Sequence, residues 1–265
     1  MNEIVAGSDK SHLARLRLLS VRGEPLFYAN WDSAVFIHCE ADPEELQKFI
    51  PYDVDLFEGR AFVSLVAFTM RRMRPRFGGR LSELLFKPIA THNFLNVRAY
   101  VTHRGEAGIY FMSEWLSNRM SVLLGPSTFG LPYRFARFDY QHQPSVAAAP
   151  YGLAGEQAKI RGQVSANEGR LSYRAAESND FEICEPDSLT EFLLERYTAF
   201  TQHRSRKRLF RIWHEPWKQA AAKIHIAADN LIRSTGDWWQ SAHCIGGNYS
   251  RGVDVWMGWP HKIDN

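Results

Sequence analysis

The stretch Asn96-Val97-Arg98-Ala99-Tyr100-Val101 alternates polar and apolar side chains with a period of two. That period belongs to an extended strand, whose successive side chains point to opposite faces. Asn96, Arg98 and Tyr100 therefore share one face, and Val97, Ala99 and Val101 the other. An apolar strand face has to be buried against another layer, which commits the chain to a sheet with a covered side. The Asn/Arg/Tyr face fits either a solvated sheet surface or the wall of a polar cavity. Inside a cavity, the Arg98 guanidinium is suited to hold a carboxylate by paired hydrogen bonds. About thirty residues later, Phe129-Gly130-Leu131-Pro132-Tyr133-Arg134 reads as a tight Gly/Pro turn aiming Tyr133 and Arg134 at that strand.

Strand signals dominate the rest of the chain. Ala34 to Cys39 is apolar enough for a buried strand, and Asp42-Pro43 then opens a short helix that Pro51 stops. Leu56 to Met70 reads as a hairpin turning at Glu58-Gly59, followed by a long apolar strand. A second hairpin turn is expected around Arg104-Gly105, and residues 77–93 are expected to be loop. Asn118 to Leu124 has helical spacing with a stop at Gly125-Pro126. Tyr133 to Tyr140 and Arg170 to Arg174 read as strands, with residues 143–159 a short excursion between them.

Ser188-Leu189-Thr190-Glu191 is a capping box, opening a helix whose apolar face is Leu189, Phe192, Leu193, Tyr197 and Phe200. Leu209 to His214 reads as a strand halted by Pro216, residues 217–232 fit helix or strand equally, and Tyr249 to Trp259 is a closing strand. The class is α+β and β-rich, with residues 1–24 a tail and 25–265 a single domain.

Hydrophobic residues make up 45% and aromatics 13% of 265 residues, enough for a sizeable core. A net charge of +3 does not by itself imply a nucleic-acid partner. The basic runs Arg71 to Arg76 and Arg204 to Arg208 read as solvated strand ends, since nucleic-acid binding requires such runs to converge with interleaved aromatics. Arg74 keeps a second reading as a pocket residue, because Pro75 stiffens its placement. Cys39, Cys184 and Cys244 have no paired CxxC spacing, so neither a disulfide framework nor a structural zinc is indicated, and a reducing cytoplasm fits this usage. No stretch approaches the ~20 apolar residues of a membrane span.

Signatures of nucleophilic, metal and nucleotide chemistry are missing. Gly125-Pro126-Ser127-Thr128-Phe129-Gly130 has the wrong spacing for a nucleophile elbow, and His214-Glu215-Pro216 lacks a second zinc-binding His. His38-Cys39 and His243-Cys244 are adjacent pairs that alternate faces on a strand, so no metal is expected. No glycine-rich phosphate loop is present, and no cofactor is expected.

Four segments in order carry a family resemblance: Asn96 to Val101, Leu123 through Arg134, Leu189 to Tyr197, and His214 to Trp217. Together they resemble the YqjF-like family of uncharacterised proteins, from about Trp31 to Trp259. That family is similar in turn, more distantly, to acetoacetate decarboxylase. The resemblance implies an antiparallel sheet folded as a cone around a central cavity, with flanking helices, and leaves self-association open. It also implies a lysine nucleophile in a Gly-x-Pro-Lys-Lys setting, where this chain has Gly130-Leu131-Pro132-Tyr133-Arg134. A phenol cannot form an imine, and a guanidinium is no amine nucleophile at ordinary pH.

The resemblance implies an acid two residues before Asn96, where this chain has Phe94, and a Ser-Leu-Asp pattern after Phe111, where it has Ser113-Glu114-Trp115, so a general acid would have to be Glu114 at a shifted position. The expectation is a cavity protein for a small carboxylate or carbonyl compound, working if catalytic by acid/base chemistry. Asn96, Arg98, Tyr100 and Arg74 would bind the ligand. Tyr133, Arg134 and Glu114 would do the chemistry. The alternative is a non-catalytic ligand-binding or protein-interaction module.

Overall fold

The computed structural model describes residues 25–142, 160–178 and 180–263. The expectations for the tail 1–24 and for the excursion 143–159 fall mostly or wholly outside them. Every described strand belongs to one 14-stranded sheet. Its members are β1 (Phe27–Ala41), β2 (Asp53–Val54), β3 (Ala61–Pro75), β4 (His92–His103), β5 (Glu106–Leu116), β6 (Tyr133–Phe135) and β7 (Arg137–Gln141). They continue with β8 (Ile160–Ala166), β9 (Gly169–Glu177), β10 (Thr198–His203), β11 (Arg206–His214), β12 (Gln219–Ala228), β13 (His243–Met257) and β14 (His261–Lys262). The helices are α1 (Pro43–Gln47), α2 (Gly79–Phe86), α3 (Arg119–Thr128), α4 (Leu189–Leu194) and α5 (Asn230–Arg233). None is long and apolar enough to cross a membrane.

Pairing runs β11-β10-β5-β4-β3-β1-β13, and β11 also pairs β13 through Ile212↔Met257, Trp213↔Trp256 and His214↔Val255. Those strands therefore close into a barrel. The pairs are antiparallel except β10–β5 and β5–β6, so the sheet is mixed rather than wholly antiparallel. At the other end of β13, β12 pairs Ala220↔Tyr249 and leads on through β9 and β8 to β7. This outer layer covers the barrel's outside.

The two faces of β4 fall into two separate cores, as a period of two requires. Leu95, Val97, Ala99 and Val101 pack outward with Val35, Leu65, Trp115, Val164 and Leu171. Phe94 and Tyr100 pack inward with Phe36, Val66, Phe68, Phe111 and Ile212. Asn96 and Arg98 share that inner face, so the polar face lines the barrel interior and not a solvated surface.

The Arg104-Gly105 hairpin turn, the Asp42-capped α1 and the Ser188 cap of α4 are present, with the Ser188 side chain accepting from the Glu191 N–H. Several elements differ from the sequence expectation. Residues 77–93 hold α2 and a 3-10 turn (Lys87–Ile89) rather than loop. Helix α3 runs through Gly125-Pro126 to Thr128, because a proline late in a helix forfeits one hydrogen bond while the last carbonyls still find the Phe129 and Gly130 N–H groups. Helix α4 ends at Leu194, which leaves Phe200 to β10. Residues 219–228 are strand, paired on both edges.

Candidate functional site

A cavity of about 490 Å³ opens at the barrel mouth. Its walls are mainly apolar, from Phe27, Phe68, Met70, Phe94, Phe111, Phe129, Leu131 and Ile212. Phe94 stacks on Phe68 with centroids 5.0 Å apart and meets Tyr133 edge-on at 6.0 Å. Helix α3 forms part of the rim through Ser121, Leu124, Gly125 and Thr128.

The polar groups of this cavity stand in a row set by strand register. Asn96 of β4 pairs Glu114 of β5, and Glu114 pairs Tyr133 of β6. Directly opposed residues point to the same side, so all three side chains face inward. Glu114 reaches this face because the ladder shifts between Val97↔Ser113 and Arg98↔Phe111, leaving Met112 as a bulge. Without the bulge, Phe111 and Glu114 would lie on opposite faces.

Tyr133 is delivered by the end of α3. Gly130 takes φ +75°, a backbone conformation that favours glycine, and the chain turns through Pro132 into β6. The Tyr133 ring then lies against Gly125, where an added Cβ would come within 2.1 Å of it.

Burial pushes the cavity's titratable groups toward their neutral forms. Burial raises the Glu114 carboxyl well above the usual carboxylate range. Burial and then the neighbouring Glu114 charge raise the Tyr133 phenol. Burial lowers His92 to about 4, against a smaller opposing effect of the Ile89 backbone. Among the described residues, Glu114 Oε2, Asn96 Oδ1 and Ser121 Oγ have no hydrogen-bond partner. Each such buried atom costs about 1–3 kcal/mol if nothing satisfies it, so the cavity is primed for a polar guest.

Arg98 and Tyr100 lie deeper than the cavity. An Arg98 terminal nitrogen and the Tyr100 hydroxyl both donate to the Leu193 carbonyl, at 2.8 Å each, at the end of α4. The chain continues from Tyr100 through Ser64 (2.5 Å) and His38 (2.7 Å) to Asn248 (2.9 Å). Arg98 lines only a crevice of about 10 Å³, which shares Trp31, Phe68, Asn96, Phe111 and Ile212 with the cavity above it. Its Nε is unpartnered among the described residues.

Besides Arg98 and Tyr100, two more expected site residues are not brought to the cavity. Arg134 pairs Trp115, which points outward, so its guanidinium lies 5.9 Å from the Trp115 ring and 3.7 Å from Glu168. Arg74 lies over the Tyr28 ring and 3.9 Å from Glu83, lining a separate groove. His92 and Ser121 were missed. His92 extends the alternation His92, Phe94, Asn96, Arg98 backwards, a signal hidden by reading residues 77–93 as loop. No lysine lines the cavity among the described residues, and no His/Cys/Asp/Glu cluster there could hold a metal.

Solved structures share this architecture. An acetoacetate decarboxylase-like enzyme from Sphingomonas wittichii RW1 aligns with TM-score 0.61 at 14% identity, over 91% of this chain and 94% of that one. The enduracididine biosynthesis enzyme MppR, complexed with pyruvate, aligns with TM-score 0.59 at 12% identity, over 92% of each chain. The fold is thus acetoacetate decarboxylase-like. The uncharacterized protein YqjF of Bacillus subtilis (strain 168) is 28% identical over 211 residues, 78% of this chain and 80% of that protein. With residues 28–253 matching DUF2071, described as an uncharacterized conserved protein, the chain belongs to that family.

Proposed function

We propose that the barrel cavity binds a small carbonyl compound with an apolar body, and that the protonated Glu114 carboxyl hydrogen-bonds its oxygen. One observation carries this reading: a buried carboxyl, raised by desolvation and with one oxygen unpartnered among the described residues, faces a 490 Å³ apolar cavity. A neutral acid in such a place can donate a hydrogen bond and then a proton. Asn96 flanks it on one side and Tyr133 on the other.

The chemistry this suits is lyase- or hydratase-like. Glu114 supplies a proton as charge develops on the carbonyl oxygen, with the Tyr133 hydroxyl as relay. Imine formation is not part of the proposal, because Tyr133 stands where the distant relatives' pattern has lysine. Cytoplasmic location and self-association belong to the same reading.

A second reading adds a carboxylate to the ligand. The unpartnered Arg98 Nε favours it, since a keto acid reaching down past Asn96 would meet that guanidinium. Pyruvate bound to MppR supports a keto acid as one class to test. The crevice would have to widen.

Thermal-shift screening of ketones, aldehydes and keto acids tests both readings. A ligand at 100 times its Kd adds about 2.7 kcal/mol, or several degrees in Tm for a chain of this size. Loss of the shift in Glu114→Ala but not in Arg98→Met supports the neutral carbonyl reading. Loss in both supports the keto acid. Full retention in Glu114→Ala sinks the proposal.

A further inference from the structure

Cys39 of β1 and Cys244 of β13 are direct cross-strand partners. Opposed antiparallel residues have Cα atoms about 4.5 or 5.5 Å apart, inside the ~4.4–6.8 Å span of a disulfide. Both carry free thiols, and the Cys244 sulfur lies 3.8 Å from the Gly246 carbonyl oxygen. Ile245 is skipped as the ladder passes from His38↔Gly246 to Cys39↔Cys244, an irregularity that gives the pair local freedom.

The two thiols are unequal. Cys39 is fully buried in the outer core, whereas Cys244 is exposed. The hydrogen bond from Cys39, against opposing burial and with help from the Gly246 backbone and His243, lowers the Cys244 thiol to about 6. Cys39 is raised, first by the same contact and then by burial. An exposed thiol thus faces a buried one across the β1–β13 ladder, the arrangement of an attacking and a resolving cysteine.

We propose that Cys39 and Cys244 form a hydroperoxide-responsive dithiol, with Cys244 attacking and Cys39 resolving. The Cys244 thiolate attacks one peroxide oxygen, the O–O bond breaks, and the departing oxygen takes a proton and leaves as water. The Cys39 sulfur then attacks the Cys244 sulfenic sulfur, the S–O bond breaks, and a second water leaves. Two thiols are oxidised to one disulfide and one peroxide is reduced to two waters. The bond would tie β1 to β13 one residue from His38, whose side chain belongs to the polar chain under the cavity.

Cys184, buried and pushed up to about 12 chiefly by burial, is the internal control. The test treats the reduced full-length chain with hydrogen peroxide and maps peptides without reduction. The expected product is an intramolecular Cys39–Cys244 link with Cys184 still a thiol, and iodoacetamide should label Cys244 about tenfold faster than Cys184 at pH 7. In Cys39→Ala, a dimedone-trappable sulfenic acid should accumulate at Cys244. In Cys244→Ser, Cys39 should resist peroxide. Oxidation of wild-type Cys244 to sulfinic acid without the link, a Cys244–Cys244 bond between chains, or equally fast oxidation of Cys39 in Cys244→Ser would each overturn the proposal.

Discussion

Asn96 and Glu114 face each other across β4 and β5 inside the barrel, and each keeps one side-chain oxygen without a partner among the described residues. Burial at that position raises the Glu114 carboxyl above the ordinary carboxylate range.

That shift gives stability a pH dependence. The folded pKa of Glu114 lies above its ordinary 4.5, so the folded chain holds the proton more tightly than the unfolded one. Its stabilising effect is complete below pH 4.5 and is lost as pH rises through the folded pKa, by about 1.4 kcal/mol per unit. Glu114→Gln should flatten this loss. Urea unfolding of both proteins from pH 5 to 8 checks it, and parallel curves would refute it.

Three buried histidines act in the opposite direction. His38 is lowered to about 3, and His92 and His142 to about 4, in each case mainly by burial. A depressed histidine contributes stability above its ordinary pKa of 6.5, which is lost as pH falls toward the folded value. Together they take up about three protons on unfolding between pH 6 and 4.5, outweighing Glu114 in that window. Stability should therefore fall steeply on acidification from pH 6.5, and His142→Gln should reduce the slope of midpoint against pH by about one proton.

Gly125 gives Tyr133 its place. In Gly125→Ala the new methyl would lie 2.1 Å from the ring, so Tyr133 must move. Overpacking costs about 1–3 kcal/mol, against a helix-propensity gain of up to about 1 kcal/mol. The variant should lose Tm and cavity-ligand affinity together, and Tyr133→Leu in the same chain should recover the Tm. An unchanged Tm in the single variant would contradict the close packing.

Borohydride treatment of the wild type with a β-keto acid should leave no lysine adduct, because Tyr133 offers no amine and no lysine lines the cavity among the described residues. Tyr133→Lys should gain one, its amine beside Glu114 in an apolar wall. Mass mapping reads both results. A trapped lysine in the wild type would show that imine chemistry survives elsewhere in the chain.

The inner face of β4 was legible because a strict period of two survives tertiary context when one side is packed. Glu114 was legible only as the acid in Ser113-Glu114-Trp115, one position off the Ser-Leu-Asp pattern that the resemblance implied. Its orientation was not, because the bulge at Met112 reverses the parity that the sequence displays. The same parity argument separates Tyr133 from Arg134, which adjacency in the turn had joined. Helix α2 was passed over although Leu81, Leu84 and Leu85 keep the i, i+3, i+4 spacing of a helix face, because Gly78-Gly79 at its start and Pro88 just after it signal loop.

Among the described residues, the strand path ends at β7 and β14. The β7 edge carries Arg137, Asp139 and Gln141 as its exposed residues, and β14 is only His261 and Lys262. Short or charged rims of this kind discourage another chain from adding a strand. The sheet is thereby guarded against edge-to-edge aggregation at its β7 end by charge and at its β14 end by brevity.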